Sequence, residues 1–111
     1  MNWEKLTDIA QLDTIKKESG TSPVLIFKHS TRCSISATAL ARLERNWKSE
    51  NPTGMKAYYL DLISFRPVSN KIQEEFHIEH QSPQALLIKD GQCVYDASHM
   101  AISLDEIMHH A

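Results

Sequence analysis

Val24-Leu25-Ile26-Phe27 is the feature that most limits how this chain can fold. It is a short, unbroken apolar run with bulky β-formers, preceded by Ser22-Pro23 and followed by polar residues. Such a run reads as a strand covered on both faces, so other elements must flank it on each side. A chain of 111 residues is long enough for one layered domain of that kind, here spanning 1–111, and too short for two. Its apolar runs stop at about four residues, whereas a membrane span needs about twenty. Twelve Lys and Arg stand against fourteen Asp and Glu, a formal charge of −2. That balance argues against a nucleic-acid binder and against a polybasic membrane anchor. The start, Met1-Asn2-Trp3-Glu4-Lys5, lacks the basic residues and apolar stretch of a secretory signal. A cytoplasmic protein with no nucleic-acid or membrane partner is therefore expected.

The flanking elements can be read from periodicity and breakers. Trp3, Leu6, Ile9, Leu12 and Ile15 recur every three residues, which keeps them near one face of a helix. The expected helix covers about 7–18, with Thr7 or Asp8 as its cap. Gly20, Ser22 and Pro23 end it. Cys33 to Trp47 contains no Gly or Pro, and Leu40, Leu43 and Trp47 share one helical face, the core-facing one. Asn51, Pro52 and Gly54 are expected to end that second helix. Met55 to Leu62 reads as a second strand. Pro67 suits the start of a third helix at about 66–76, carrying Val68, Ile72 and Phe76. Ala85-Leu86-Leu87-Ile88 is a third strand, and Cys93-Val94-Tyr95 a fourth. Asp90-Gly91 between them is a strong signal for a tight hairpin. Ser103 should cap a last helix with Leu104, Ile107 and Met108.

The resulting order is α-β-α-β-α-β-β-α. The first two strands, joined through a helix, should be parallel with a right-handed crossover. The last two form a hairpin. The fold class is thus α/β, a four-stranded mixed sheet flanked by helices on both faces, and this arrangement is that of the thioredoxin fold.

Two cysteines, Cys33 and Cys93, are too few for a disulfide scaffold, so a chemical role for either would be as a reactive thiol. Cys33 sits where a strand hands over to a long helix. Unpaired N–H groups and the macrodipole at a helix N-terminus favour a thiolate. Arg32 adds positive charge beside it, and the hydroxyl of Ser36, three residues on, is positioned to donate to the sulfur. Cys33-Ser34-Ile35-Ser36 is a Cys-x-x-Ser arrangement. A Cys-x-x-Cys pair resolves a mixed disulfide by internal thiolate attack, which Ser36 cannot do. The natural chemistry is monothiol: Cys33 takes a small thiol onto itself and waits for another thiol to release it. Read alone, Cys33 could equally be a small core residue. Base rates favour a trans Ser82-Pro83 bond; only the fold argument makes it cis, beside the cysteine.

Lys28-His29-Ser30-Thr31-Arg32-Cys33-Ser34-Ile35-Ser36 and the stretch from Phe76 through Ser82-Pro83-Gln84 to Gly91 carry a narrower likeness. With Asp61-Leu62-Ile63 and Arg66-Pro67-Val68-Ser69, they resemble the monothiol bacilliredoxins of the YtxJ type over nearly the whole chain. The resemblance implies an enzyme that removes bacillithiol from protein mixed disulfides. Its partners would be bacillithiolated client proteins and bacillithiol, the thiol co-substrate. Another redoxin is an alternative partner for regeneration, and no further cofactor is implied. By position, Cys33 is the attacking residue, Ser36 fills the resolving position, and Pro83 is the cis-proline. Arg32 and Ser36 are expected to stabilise the thiolate, and Thr31, Ser34, Ser82 and Pro83 to contact substrate. Because bacillithiol carries a malate group, a cationic docking site makes electrostatic sense, with Arg32 and Lys28 as candidates.

Other readings stay open at this stage. A glutaredoxin-like iron–sulfur carrier also places a single cysteine before serine, usually as Cys-Gly-Phe-Ser, but Ser34 and Ile35 stand here instead. A non-catalytic thioredoxin-like adaptor would need no reactive thiol. Cys93 is expected to be a packed sheet residue too far from Cys33 for a disulfide. His29 is expected either to tune Cys33 or simply to end its strand. The six His residues suggest no metal site, because neither Cys lies near a His pair in sequence. Glu74, Glu75 and Glu79 read as a solvated face.

Overall fold

A computed structural model describes residues 3–47 and 54–111. Strands β1 (Glu4–Lys5), β2 (Val24–His29), β3 (Lys56–Asp61), β4 (Gln84–Lys89) and β5 (Gln92–Ser98) form one sheet in the order β1-β3-β2-β4-β5. Helices α1 (Gln11–Glu18), α2 (Ser34–Asn46), α3 (Arg66–Phe76) and α4 (Leu104–His110) cover it, and a 3-10 turn at His99–Ala101 follows β5. β1, β3 and β2 run parallel, and β4 is antiparallel to both β2 and β5.

All six residues of β2 are buried, as a strand covered on both faces requires. Val24 and Ile26 pack on one side with Leu12 and Ile15 of α1 and Val68, Ile72 and Phe76 of α3. Leu25 and Phe27 pack on the other with Ala39 and Leu43 of α2 and Leu104 and Ile107 of α4. Leu40 and Trp47 are partly buried against that second cluster. The alternation is the two-residue period of a strand. The Asp90-Gly91 hairpin is also present: both residues have positive φ, 52° and 75°, and Lys89 pairs with Gln92. Two positive φ values in succession match the twist of the flanking strands.

Five strands replace the four expected. β1 escapes notice because its side chains are exposed and it is held by backbone pairing, Glu4 with Tyr58 and Lys5 with Tyr59. Its neighbours Trp3 and Leu6 serve opposite faces of the sheet, Trp3 against Phe27 and Leu6 against the α1/α3 side. Their three-residue spacing therefore does not mark a helix. The helix begins only at Gln11. Ala10 takes the N-cap position, so neither Thr7 nor Asp8 caps the helix as expected. Asp8 Oδ1 instead accepts the Ala10 N–H in the turn before it, and Gln11 Oε1 accepts the N–H groups of Thr7 and Asp8. Ile9 is largely exposed.

α3 begins and ends as expected, with Pro67 in its first turn. α2 ends at Asn46, before the expected breakers. Of these, Asn51 and Pro52 lie outside the described residues. Ser103 occupies the N-cap of α4, but its hydroxyl makes no capping bond. Glu75 is not simply solvated: it pairs with Lys16 across α1 and α3.

Candidate active site

β2 delivers the site. Its register with β4 pairs Phe27 with Ala85 and Lys28 with Gln84. Continuing that register brings Ser82-Pro83 alongside His29-Ser30. The chain then turns, the Cys33 N–H donating to the Ser30 carbonyl at 3.1 Å, and α2 starts at Ser34. Cys33 is the N-cap, with an extended backbone, and its carbonyl accepts the Ala37 N–H. Its side chain makes no capping bond and is partly exposed. Thr31, Arg32, Ser34 and Ile35 around it are exposed, and Arg32 forms no ion pair among the described residues. The Ser82-Pro83 bond is cis. The Pro83 carbonyl accepts the His99 N–H at 3.0 Å, which ties the turn after β5 to this loop. Ser82 Oγ is buried and has no partner among the described residues.

Ser36 is placed differently from expectation. It is fully buried, and its hydroxyl lies 2.7 Å from His29 Nδ1 while accepting the Ser30 N–H at 3.0 Å. No hydrogen bond from Ser36 to the Cys33 sulfur is present among the described residues. In this geometry Ser36 fastens the start of α2 to the end of β2. His29 is 5% exposed and stacks near Phe27 and Tyr59. Burial holds its pKa below the ordinary value, opposed by the charge of Asp61 and the Ser36 bond.

Lys28 cannot serve as a docking cation. It is wholly buried on the α1/α3 side of β2. Its Nζ donates to His80 Nδ1 at 2.9 Å and Gln84 Oε1 at 3.2 Å. Burial pushes its pKa down to about 8. A strand covered on both faces gives none of its side chains a direct route to solvent, so Lys28, the next-to-last residue of β2, turns inward on the face it shares with Val24 and Ile26. Of the cations proposed for the malate group, only Arg32 lies on the surface.

Cys33 and Cys93 are both free thiols. Cys93 pairs across the hairpin with Ile88, which in turn pairs with Val24 at the far end of β2. The length of β2, roughly 3.3 Å per residue, therefore separates the two cysteines, well beyond the reach of a disulfide. Cys93 Sγ donates to the Tyr95 carbonyl at 3.3 Å, and burial pushes its thiol up to about 11. It is a packed sheet residue.

Sequence reasoning missed His80 and Gln84, which hold Lys28, and Ser69, which contacts His80. Only the placement of Lys28 inside a two-faced strand could have signalled that buried polar partners were needed.

No helix of the described residues is long and apolar enough to cross a membrane. Residues 4–107 match the family model for monothiol bacilliredoxin BrxC. Among solved structures, a protein described as a candidate oxidoreductase with a thioredoxin fold is 29% identical, with a TM-score of 0.78 over 96% of this chain and 90% of that one. Fasciola hepatica thioredoxin is 19% identical, with a TM-score of 0.77 over 97% and 99%. Malassezia sympodialis thioredoxin is 14% identical, with a TM-score of 0.79 over 98% and 90%. The last two show the fold alone. Fold and family together make this chain a thioredoxin-like thiol oxidoreductase, and it belongs to the monothiol bacilliredoxin family.

Proposed function

We propose that Cys33 removes bacillithiol from protein mixed disulfides. The observation that carries this reading is a partly exposed thiol at the N-cap of a thirteen-residue helix, in a chain of this family, with a serine hydroxyl at the fourth position of the motif. The Cys33 thiolate attacks the bacillithiol sulfur of the client disulfide. The client sulfur leaves with the bonding electron pair and takes a proton, so the client is reduced and Cys33 carries the bacillithiol. A second thiolate, from free bacillithiol or another redoxin, attacks that disulfide and frees Cys33. When free bacillithiol does this, bacillithiol disulfide is the oxidised product.

The surrounding residues have distinct parts. Amide groups of the first turn of α2 stabilise charge on the sulfur. Arg32 supplies the exposed positive charge for the malate carboxylates. Thr31, Ser34 and the backbone at Ser82-Pro83 line the approach for the client chain. Ser36 contributes by fixing the start of α2 and supplies no second thiol. The site of action is the cytoplasm.

Intact mass after mixing reduced protein with a bacillithiol-capped client tests the reading. Wild type and Cys93→Ala should each gain one bacillithiol as the client loses it, and Cys33→Ala should gain none. Transfer to Cys33→Ala, or no transfer to wild type, overturns it. In the second case an iron–sulfur carrier or adaptor role takes its place.

A further inference from the structure

A buried ammonium beside the candidate site calls for an explanation. Burying an unpaired cation is expensive, and such groups are usually paired with a carboxylate. Lys28 has no carboxylate in salt-bridge range among the described residues. Its hydrogen-bond partners are the neutral acceptors Gln84 Oε1 and His80 Nδ1. An ammonium only donates, so His80 Nδ1 accepts and the imidazole proton lies on Nε2. Ser69 Oγ is 3.3 Å from the same Nδ1.

These contacts converge on one segment. Gln84 Oε1, held by Lys28, also accepts the Gln81 N–H at 3.3 Å. Gln84 Nε2 donates to the Glu79 carbonyl at 3.0 Å, and the His80 N–H donates to Gln73 Oε1 at 2.6 Å. The stretch 79–84 is thus fastened to β2 and α3 on both sides of Ser82-Pro83. The fastening point on β2 is five residues before Cys33.

We infer that Lys28 is a positioning residue: through Gln84 and His80 it sets the Ser82-Pro83 loop at the distance from Cys33 that an extended client segment needs. This deepens the proposed uncapping function and rests on it. Lys28 touches neither client nor reacting sulfur. Its loss should therefore weaken client binding while leaving the sulfur's own reactivity in place.

The test compares wild type, Lys28→Met and Gln84→Leu with a bacillithiol-capped peptide. Losing hydrogen bonds to a charged group amounts to about tenfold in affinity. KM should rise about tenfold in each variant, with kcat and the rate of Cys33 alkylation by iodoacetamide within about twofold of wild type. Amide exchange at Gln81 should quicken in both. The double variant should be no worse than the worse single one, because both break the same fastening. An unchanged KM with unchanged Gln81 exchange overturns the inference. So does a fall in alkylation rate matching the change in kcat/KM, since that would mean Lys28 acts on the sulfur. If one variant fails to fold, the other carries the same comparison from the opposite side of the contact. If wild type does not uncap the peptide, the uncapping function fails, while Gln81 exchange still reports whether Lys28 holds the loop.

Discussion

Lys28 and His29 are neighbours at the end of β2, yet they enter opposite faces of the sheet and are buried by different means. His29 goes to the α2 side, where the rings of Phe27 and Tyr59 lie 5.9 and 5.4 Å from its own. A neutral imidazole suits such surroundings, and Ser36 satisfies its Nδ1. Lys28 goes to the α1/α3 side and meets Gln84, His80 and, through His80, Ser69. A neutral ring can be buried against other rings with one hydrogen bond. An ammonium needs several acceptors, and here they come from the segment carrying Ser82-Pro83. Each residue therefore fixes a different wall of the Cys33 site: His29 the helix start through Ser36, Lys28 the cis-proline loop through Gln84.

Three experiments can break or sharpen that contrast. The largest effect is expected from Lys28→Ala. It empties space under the loop and leaves His80 and Gln84 without their donor, a loss of about 3 kcal/mol in urea unfolding. A loss smaller than about 1 kcal/mol would mean the loop is held without Lys28.

Ser36→Ala should have a smaller effect, about 1–2 kcal/mol, because it removes a hydroxyl from a packed site. Its signature should be local. Exchange at the Ser30 amide should accelerate, while Gln81 stays protected. Acceleration at both would show that the two walls are coupled.

The smallest effect concerns alkaline pH. Folded Lys28 titrates near 8 and the unfolded residue near 10.5. Between these values the unfolded chain still holds a proton that the folded chain has released, so raising pH favours folding. The stability of wild type relative to Lys28→Met should therefore increase from pH 8 to 9, by at most about 1.4 kcal/mol. A flat difference would show the ammonium is not burdened by burial. On the acid side, His29 and His80 both have lowered pKa values. As pH falls below about 6.5 the unfolded chain takes up protons that the folded one resists. Both pockets should then lose stability together.

Much of the fold was legible because it rests on local signals. The apolar run at Val24–Phe27, the Asp90-Gly91 pair and the Pro67 helix start each act over a few residues. β1 was not legible, because two exposed residues held by backbone pairing leave no pattern in side-chain type. The Cys33 loop was legible as a strand-to-helix junction. The placement of Ser36 was not: its expected bond to Cys33 gives way to His29, which ends β2 as one reading of the sequence had it but turns its ring into the interior on the α2 side.

By itself the sequence determined the central buried strand, the hairpin, the lone thiol at the head of a long helix and the family resemblance. These depend on periodicity, turn chemistry and residue spacing along the chain. Only the tertiary structure decided that Lys28 turns inward, that Ser36 faces His29, and that Gln84 and His80 meet a lysine 56 and 52 residues away. A strand covered on both faces gives every side chain along it an interior environment. Which partners fill that environment is set by the segments that pack there, and their meeting leaves no local mark in the sequence.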